Sequence, residues 1–256
     1  MKNLKSIIAL LICGTMTSIA FAANITGTVT YDKSDPTTRK ALAINTQEKH
    51  CIDATKGAKS EELVVSKGKG IQNVVIYALV RGGGELKMPE KNPTVDQKDC
   101  RYLPHVIAVP VGVTVDVTSN DPVAHNVHSH ATKNEAKNFQ IPKKGIIIPY
   151  EITKAEEIKL TCDIHAWMSG YIVAVNSNYY TVTGQKDDKD NWIHPDDYEK
   201  SDDTGKYTIK DVPAGRARVV VWHEKLGSAN KTVEVPESGD LKVDFKASEF
   251  KPPKKK

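Results

Sequence analysis

The sequence predicts an all-β protein of one or two domains. From Asn24 onwards, apolar and polar residues alternate with the period of β-strands, most clearly in residues 25–32, 105–119 and 206–223. Clusters of Gly, Pro and Asp interrupt the alternation, as turns do between strands. The chain has 256 residues, 39% of them hydrophobic and 27% charged, so it is long and apolar enough to bury a substantial core.

Between these stretches the pattern changes in three places. Residues 37–60 have no clean period and are expected to form a short helix or an irregular loop that carries Cys51. Residues 85–98 are expected to form a surface loop, and the charged residues 184–206 indicate a domain junction or a long hairpin. Strands are expected at 25–32, 62–66, 73–80, 105–119 with a bend at Pro110 and Gly112, 146–150, 158–162, both sides of a turn at 212–215, 231–235 and 241–245.

Residues 1–22 have the features of a secretory signal peptide. Two lysines precede an apolar run, and Ala20-Phe21-Ala22 closes the segment with the small-x-small pattern of a cleavage site. A retained membrane anchor is the competing interpretation, but the apolar run is shorter than the roughly 20 residues that span a bilayer. We therefore expect an exported protein, periplasmic or secreted, with no integral membrane segment after cleavage.

The charge of the mature chain gives no reason to expect a nucleic-acid partner. Cleavage removes Lys2 and Lys5 and no acidic residue, so the formal charge falls from +4 to +2. Such a small excess does not favour nucleic acid or an anionic membrane surface.

Residues 160–175 place three metal-binding side chains on one short loop. Cys162, His165 and Met168 lie at intervals of three between two strand-like runs. A thiolate, an imidazole and a thioether suit copper better than Zn²⁺, Ca²⁺ or Mg²⁺, and a blue-copper site needs one more histidine. His125, in a strand-like segment upstream, would supply it if folding brings it to the loop.

These two stretches resemble the cupredoxins, the small blue copper electron carriers. The loop CDIHAWM is similar to that of amicyanin, while HNV and MSGYIVAV are similar to plastocyanin. The resemblance implies a copper domain with an N-terminal extension over residues 23–176, built as a Greek-key β-sandwich that holds one type 1 copper. It implies that Asn126 ties the two ligand loops together, and that the ligands are His125, Cys162, His165 and Met168. Ala166 and Trp167 depart from amicyanin, which has Pro and Phe there.

The C-terminal part resembles a different family. The segment DTGKYTIKDVPAG is similar to the carboxypeptidase regulatory-like domain, a small transthyretin-like β-sandwich that is not catalytic. That resemblance implies a second sandwich over residues 177–248, followed by a basic tail at 249–256. The two-part order is similar to that of secreted bacterial methylamine-utilisation proteins.

Three cysteines remain after signal cleavage. An odd number outside the cytosol usually means one disulfide and one thiol with a function. Cys51 and Cys100 form the natural pair and leave Cys162 for the metal. A disulfide between Cys162 and either partner is the alternative, and it would destroy the copper site.

The predicted function is single-electron transfer with a periplasmic redox protein as partner. Four protein ligands leave no open position on the metal, so we do not expect an enzyme. Copper delivery or storage through the same residues is the main alternative, and a structural module with a decayed site is a third. His128 and His130 are either solvated residues or a second, weak metal position. Trp167 either contacts a partner or shields the metal.

Overall fold

The computed structural model describes residues 22–35, 37–187, 189 and 191–252. The predicted signal peptide, residues 1–22, lies outside this part of the chain except for Ala22. The all-β prediction is confirmed, because the regular structure of the described residues consists of seventeen strands, two six-residue helices and one 3₁₀ turn. The helices are α1 (Lys49–Ala54) and α2 (Pro195–Lys200), and the 3₁₀ turn is Ala247–Glu249. The strands are β1 (Ala22–Thr30), β2 (Val75–Val80), β3 (Thr94–Lys98), β4 (Arg101–Leu103), β5 (Val106–Pro110), β6 (Thr114–Ser119), β7 (His125–Ser129), β8 (Asn138–Ile141), β9 (Ile147–Glu151), β10 (Glu156–Thr161), β11 (Ser169–Val175), β12 (Tyr180–Val182), β13 (Lys206–Pro213), β14 (Gly215–His223), β15 (Gly227–Val235), β16 (Asp240–Lys242) and β17 (Phe245–Lys246).

Strands β3 to β11 form one sandwich, which we call the central sandwich. One sheet has the order β5-β11-β10-β7-β8 and the other the order β4-β3-β6-β9. Strand β10 shows why the sequence folds this way, because Ile158 and Leu160 point into the core while Glu157 and Lys159 are exposed. The bend predicted between β5 and β6 is present, and Gly112 there has a φ of +94°, which favours glycine.

The remaining strands form a second sandwich from both ends of the chain, which we call the split sandwich. One sheet contains β13, β1 and β16, with β17 also paired to β1, and the other has the order β12-β2-β14-β15. The pairing therefore differs from the predicted division into 23–176 and 177–248, because β1 and β2 pair with C-terminal strands. The central sandwich is inserted between β2 and β12.

The two sandwiches share an apolar contact. Val106 and Val173 of the central sandwich lie in one buried cluster with Val75 of the split sandwich. Beside this cluster, His105 is hydrogen-bonded to Glu224. Phe250 is buried and Lys251 exchanges backbone hydrogen bonds with Ser228, so the first residues of the predicted basic tail pack on the split sandwich.

Several local predictions differ from the structure. The expected loop at 85–98 ends in β3, which pairs in parallel with β6, and the charged stretch 184–206 contains α2. Residues 62–66 form no strand and contribute an isolated bridge between Val65 and Ile71. The short helix expected to carry Cys51 is present as α1. No helix in the described part of the chain has the length and apolar character needed to cross a membrane.

Candidate metal centre

Adjacent strands bring the distant histidine to the ligand loop. His125 begins β7, and Cys162 follows β10, which pairs antiparallel with β7. His165 and Met168 lie in the turn between β10 and β11. Two backbone hydrogen bonds close this turn, from Met168 N to His165 O at 2.9 Å and from Cys162 N to Met168 O at 3.3 Å.

Three of the four predicted ligands form one buried cluster. The donor atoms of His125, Cys162 and His165 all lie within 4.8 Å of one another. The two Nδ1 atoms are 3.0 Å apart, and Nδ1 of His165 is 3.9 Å from Sγ of Cys162. Met168 is 1% exposed and belongs to the same core cluster as Cys162. Its role as axial ligand stays a prediction.

The electrostatics at Cys162 and His165 favour metal-binding protonation states. Burial raises the pKa of Cys162, but hydrogen bonds from His125 and from the backbone of Asn126 outweigh it, so the pKa lies below its usual value. The pKa of His165 is lowered by burial and then by the charge of His125. A thiolate beside a neutral imidazole is a donor set that fits a soft metal.

A proton competes with a metal at the other imidazole. Burial lowers the pKa of His125, but hydrogen bonds to Asp121 and Cys162 outweigh it and raise the pKa to about 9. A cation that binds this ring must therefore displace a proton.

Asn126 links the two parts of the site, in the geometry that the resemblance implies. Its backbone N–H donates to Sγ of Cys162 at 3.4 Å. Its side-chain Oδ1 accepts from the backbone N–H of Asp163 at 2.9 Å, and its Nδ2 donates to Asn138. The side chain of Asn126 therefore connects β7 and β8 to the loop that carries Cys162.

Asp121 orients His125 from behind, a role that the sequence analysis did not assign. Its Oδ2 lies 2.8 Å from Nε2 of His125, which leaves Nδ1 directed at the cluster. Burial raises the pKa of Asp121, but hydrogen bonds from His125, the Cys100 N–H and His50 outweigh it and lower the pKa to about 2. The signal in the sequence is an acid four residues before the histidine, which by itself is common.

The predicted disulfide between Cys51 and Cys100 is confirmed, with Cα atoms 5.5 Å apart. Cys162 is the free cysteine of the described residues. The disulfide also borders the site, because Sγ of Cys51 is 3.9 Å from Nε2 of His165. Trp167 is half-buried, with its ring 4.9 Å from that of His165 and its Nε1–H donating to Cys100 O.

His128 and His130 lie outside the cluster. Their rings stack with centroids 4.4 Å apart. Nδ1 of His128 is 3.1 Å from Asp163, and Nε2 of His130 is 2.8 Å from the hydroxyl of Thr161. Each imidazole thus already has a polar partner, and a second metal position stays a prediction.

Comparisons with known proteins identify solved structures that are similar to part of the chain. No family model and no curated protein matches it. A purple cupredoxin from Nitrosopumilus maritimus is 22% identical over 33% of this chain and 100% of its own, with a TM-score of 0.29. The Cu(I) form of an amicyanin mutant is 23% identical over 39% of this chain and 99% of its own, with a TM-score of 0.31. A copper-containing nitrite reductase from Thermus scotoductus is 25% identical over 38% of this chain and 25% of its own, with a TM-score of 0.30.

The structural neighbours are thus cupredoxins or contain copper, as the resemblance in the ligand loop implied. Their coverage is at most 39% of this chain in these comparisons, and TM-scores this low carry no argument about function. Function has to be argued from the site itself.

Proposed function

We propose that this chain is an exported type 1 copper protein that carries single electrons between redox partners. The supporting observation is the convergence of two imidazole Nδ1 atoms, from His125 and His165, and the Cys162 thiol at one buried point. This donor set matches the trigonal plane of a blue copper site, to which Met168 would add a weak axial thioether.

Copper held by this set supplies one-electron chemistry by alternating between Cu(I) and Cu(II). The chain's contribution is to hold the donors in place and keep water out. Asn126 connects the strands to the ligand loop, and Asp121 fixes the ring of His125 through Nε2. A held geometry lowers the reorganisation that accompanies electron transfer.

The same features favour a carrier over the other functions. Four protein ligands leave no vacancy for a substrate, whereas catalytic metals keep an open position. His125 and His165 are both 0% exposed, which favours retention of the metal over its ready transfer to another protein. The proposed partner is a redox protein that exchanges electrons with the bound metal.

We also propose a compartment and a role for the split sandwich. The buried disulfide is in keeping with an oxidising compartment such as the periplasm, to which the proposed signal peptide would direct the chain. The split sandwich would be a carboxypeptidase regulatory-like module that serves stability or contact.

Spectroscopy of the copper-loaded mature chain tests the proposal. We expect an intense visible thiolate-to-Cu(II) charge-transfer band and a type 1 EPR signal, reversible over repeated oxidation and reduction. Cys162→Ser should lose the band. Ser177→Ala is the control and should keep it, because Ser177 donates its hydrogen bond to the carbonyl of Ala78 in the split sandwich. A wild-type chain that binds copper with no thiolate band would contradict the proposal.

A further inference from the structure

The metal centre is covered by a segment that provides none of its predicted ligands. Two consecutive residues of α1 lie beside the site, one in contact with the ring of His165 and the other in contact with Asp121, which is hydrogen-bonded to His125. Sγ of Cys51 lies 3.9 Å from Nε2 of His165. Nε2 of His50 lies 3.0 Å from one oxygen of Asp121, whose other oxygen is 2.8 Å from Nε2 of His125. Neither ligand ring is exposed.

The covering segment is anchored at its base by α2, in the connection between β12 and β13 of the split sandwich. The chain leaves and returns at an antiparallel bridge between Ala41 and Lys59. The buried Arg39 holds this base, with its guanidinium 2.6 Å from Asp196 and 2.8 Å from the carbonyl of Ser60. The base therefore does not depend on the contacts at the metal centre.

The tip of the segment has little stability of its own. Helix α1 has six residues, no side-chain hydrogen bond at its N-cap and one buried residue, Cys51. A helix this short is not stable without tertiary contacts. The disulfide to Cys100 ties the helix covalently to the central sandwich. The backbone of Cys100 is hydrogen-bonded to the side chains of Asp121 and Trp167. The disulfide therefore holds the tip against the metal centre.

A cavity of about 260 Å³ lies between the base of the same segment and the ligand loop. Leu42 and Ser60 line it from the covering segment, and Trp167 and Met168 line it from the ligand loop. The segment therefore borders the ligand loop at its base as well as at its tip.

We propose that residues 37–60 are a lid over the metal centre, and that the Cys51–Cys100 disulfide keeps the lid closed. Metal enters or leaves when the disulfide is absent, either before it forms or after a dithiol has reduced it. In that reduction the sulfur–sulfur bond breaks and takes up two electrons and two protons, giving two thiols. The dithiol becomes a disulfide. The closed lid limits access to Cys162 for any soft metal. The identity of that metal as copper rests on the proposed function.

Alkylation of Cys162 in the metal-free mature chain tests the lid directly. N-ethylmaleimide should modify Cys162 slowly in the disulfide-bonded chain and at least about tenfold faster in the Cys51→Ser, Cys100→Ser double variant, because local opening controls access to buried groups. Ile52→Ala is the matched control, since Ile52 is exposed on α1 and the disulfide remains. Its rate should equal that of the wild type.

Hydrogen exchange separates an open lid from an unfolded chain. The amides of β10 and β11 should stay protected in the double variant while those of α1 lose protection. If the double variant does not fold, the wild type treated with dithiothreitol replaces it, and alkylated Cys162 is identified by peptide mass. Equal alkylation rates with protected β10 and β11 would overturn the lid. Loss of protection of β10 and β11 in both the double variant and the dithiothreitol-treated wild type would also overturn the lid, because the disulfide would then hold the whole sandwich.

A second measurement distinguishes failure of the lid from failure of the proposed function. The copper-loaded chain should release metal slowly to the Cu(I) chelator bathocuproine disulfonate, and faster once its disulfide is reduced. Gated alkylation without a thiolate-to-copper band would preserve the lid and refute the blue copper site. A normal band, with alkylation and metal release that do not depend on the disulfide, would support the blue copper site and refute the lid.

Discussion

Replacing Asp121 with asparagine tests how the metal centre is organised, because this carboxylate contacts both a ligand ring and the lid. Its oxygens accept hydrogen bonds from Nε2 of His125 and of His50, and from the backbone N–H groups of Asp99 and Cys100. Asp121→Asn keeps the shape of the side chain but turns one acceptor into an NH₂ group. That group faces donors and cannot satisfy them.

The expected loss of stability follows from the pKa of the carboxyl. Burial raises the pKa of Asp121, hydrogen bonds from His125 and its other donors outweigh this, and the net change is from 3.8 to about 2. This shift corresponds to at most about 2 kcal/mol of stabilisation at neutral pH. Because the folded pKa is the lower one, the contribution is complete above pH 3.8 and lost as pH falls through about 2. The free energies of unfolding of wild type and Asp121→Asn should therefore converge in acid.

The same substitution should weaken metal binding by about 10- to 100-fold, because the ring of His125 loses the anion that fixes its tautomer. Chelator competition measures the affinity, and urea unfolding of the metal-free chain measures the stability. Asp116→Asn is the matched control, since Asp116 lies in the same sandwich and accepts a hydrogen bond from Asn92, away from the cluster. Unchanged affinity and stability in Asp121→Asn would refute the role given to this carboxylate.

Three further changes test other contacts. Asn126→Ala should lower the free energy of unfolding by about 1–3 kcal/mol, because a backbone N–H of the ligand loop loses its acceptor; an unchanged urea midpoint would contradict this. Cys51→Ser with Cys100→Ser should lower it by about 4 kcal/mol in the chain-entropy model, and calorimetry against oxidised wild type checks the value. Burial lowers the pKa of His105, but Glu224 outweighs it and raises the pKa to about 9. The stabilisation from the His105–Glu224 pair is therefore full below pH 6.5 and lost as pH rises through about 9. Glu224→Gln should flatten the dependence of the free energy of unfolding on pH over this range.

Three of the four predicted ligands could be proposed from the sequence because their spacing is local. Cys162, His165 and Met168 fall in one turn, and the motif around His125 indicated the strand that meets it. Asp121 and His50 could not be found this way. An acid and a histidine 71 positions apart carry no periodic signal, and only the folded chain shows that they meet.

Strand existence was likewise easier to predict than strand pairing. The alternation in residues 25–32 predicts a strand that the structure has as β1, but alternation does not specify a partner. β1 pairs with β13, about 180 positions away, and with β16 and β17. Sheet membership depends on which apolar faces meet in three dimensions, so the boundary between sandwiches could not be read from one segment.

The split sandwich influences the metal centre although it provides none of its predicted ligands. Because β1 and β2 both belong to it, the chain between them must leave the split sandwich and return, and residues 37–60 use that excursion to reach the central sandwich. Arg39 secures the base through Asp196, while Cys51 secures the tip. A chain reduced to strands β3 to β11 would keep all four predicted ligands but would lack the lid, so Nε2 of His165 would lose its contact with Cys51. The proposed lid thus depends on the excursion of the chain from the second sandwich, whereas the predicted ligands lie in the central sandwich.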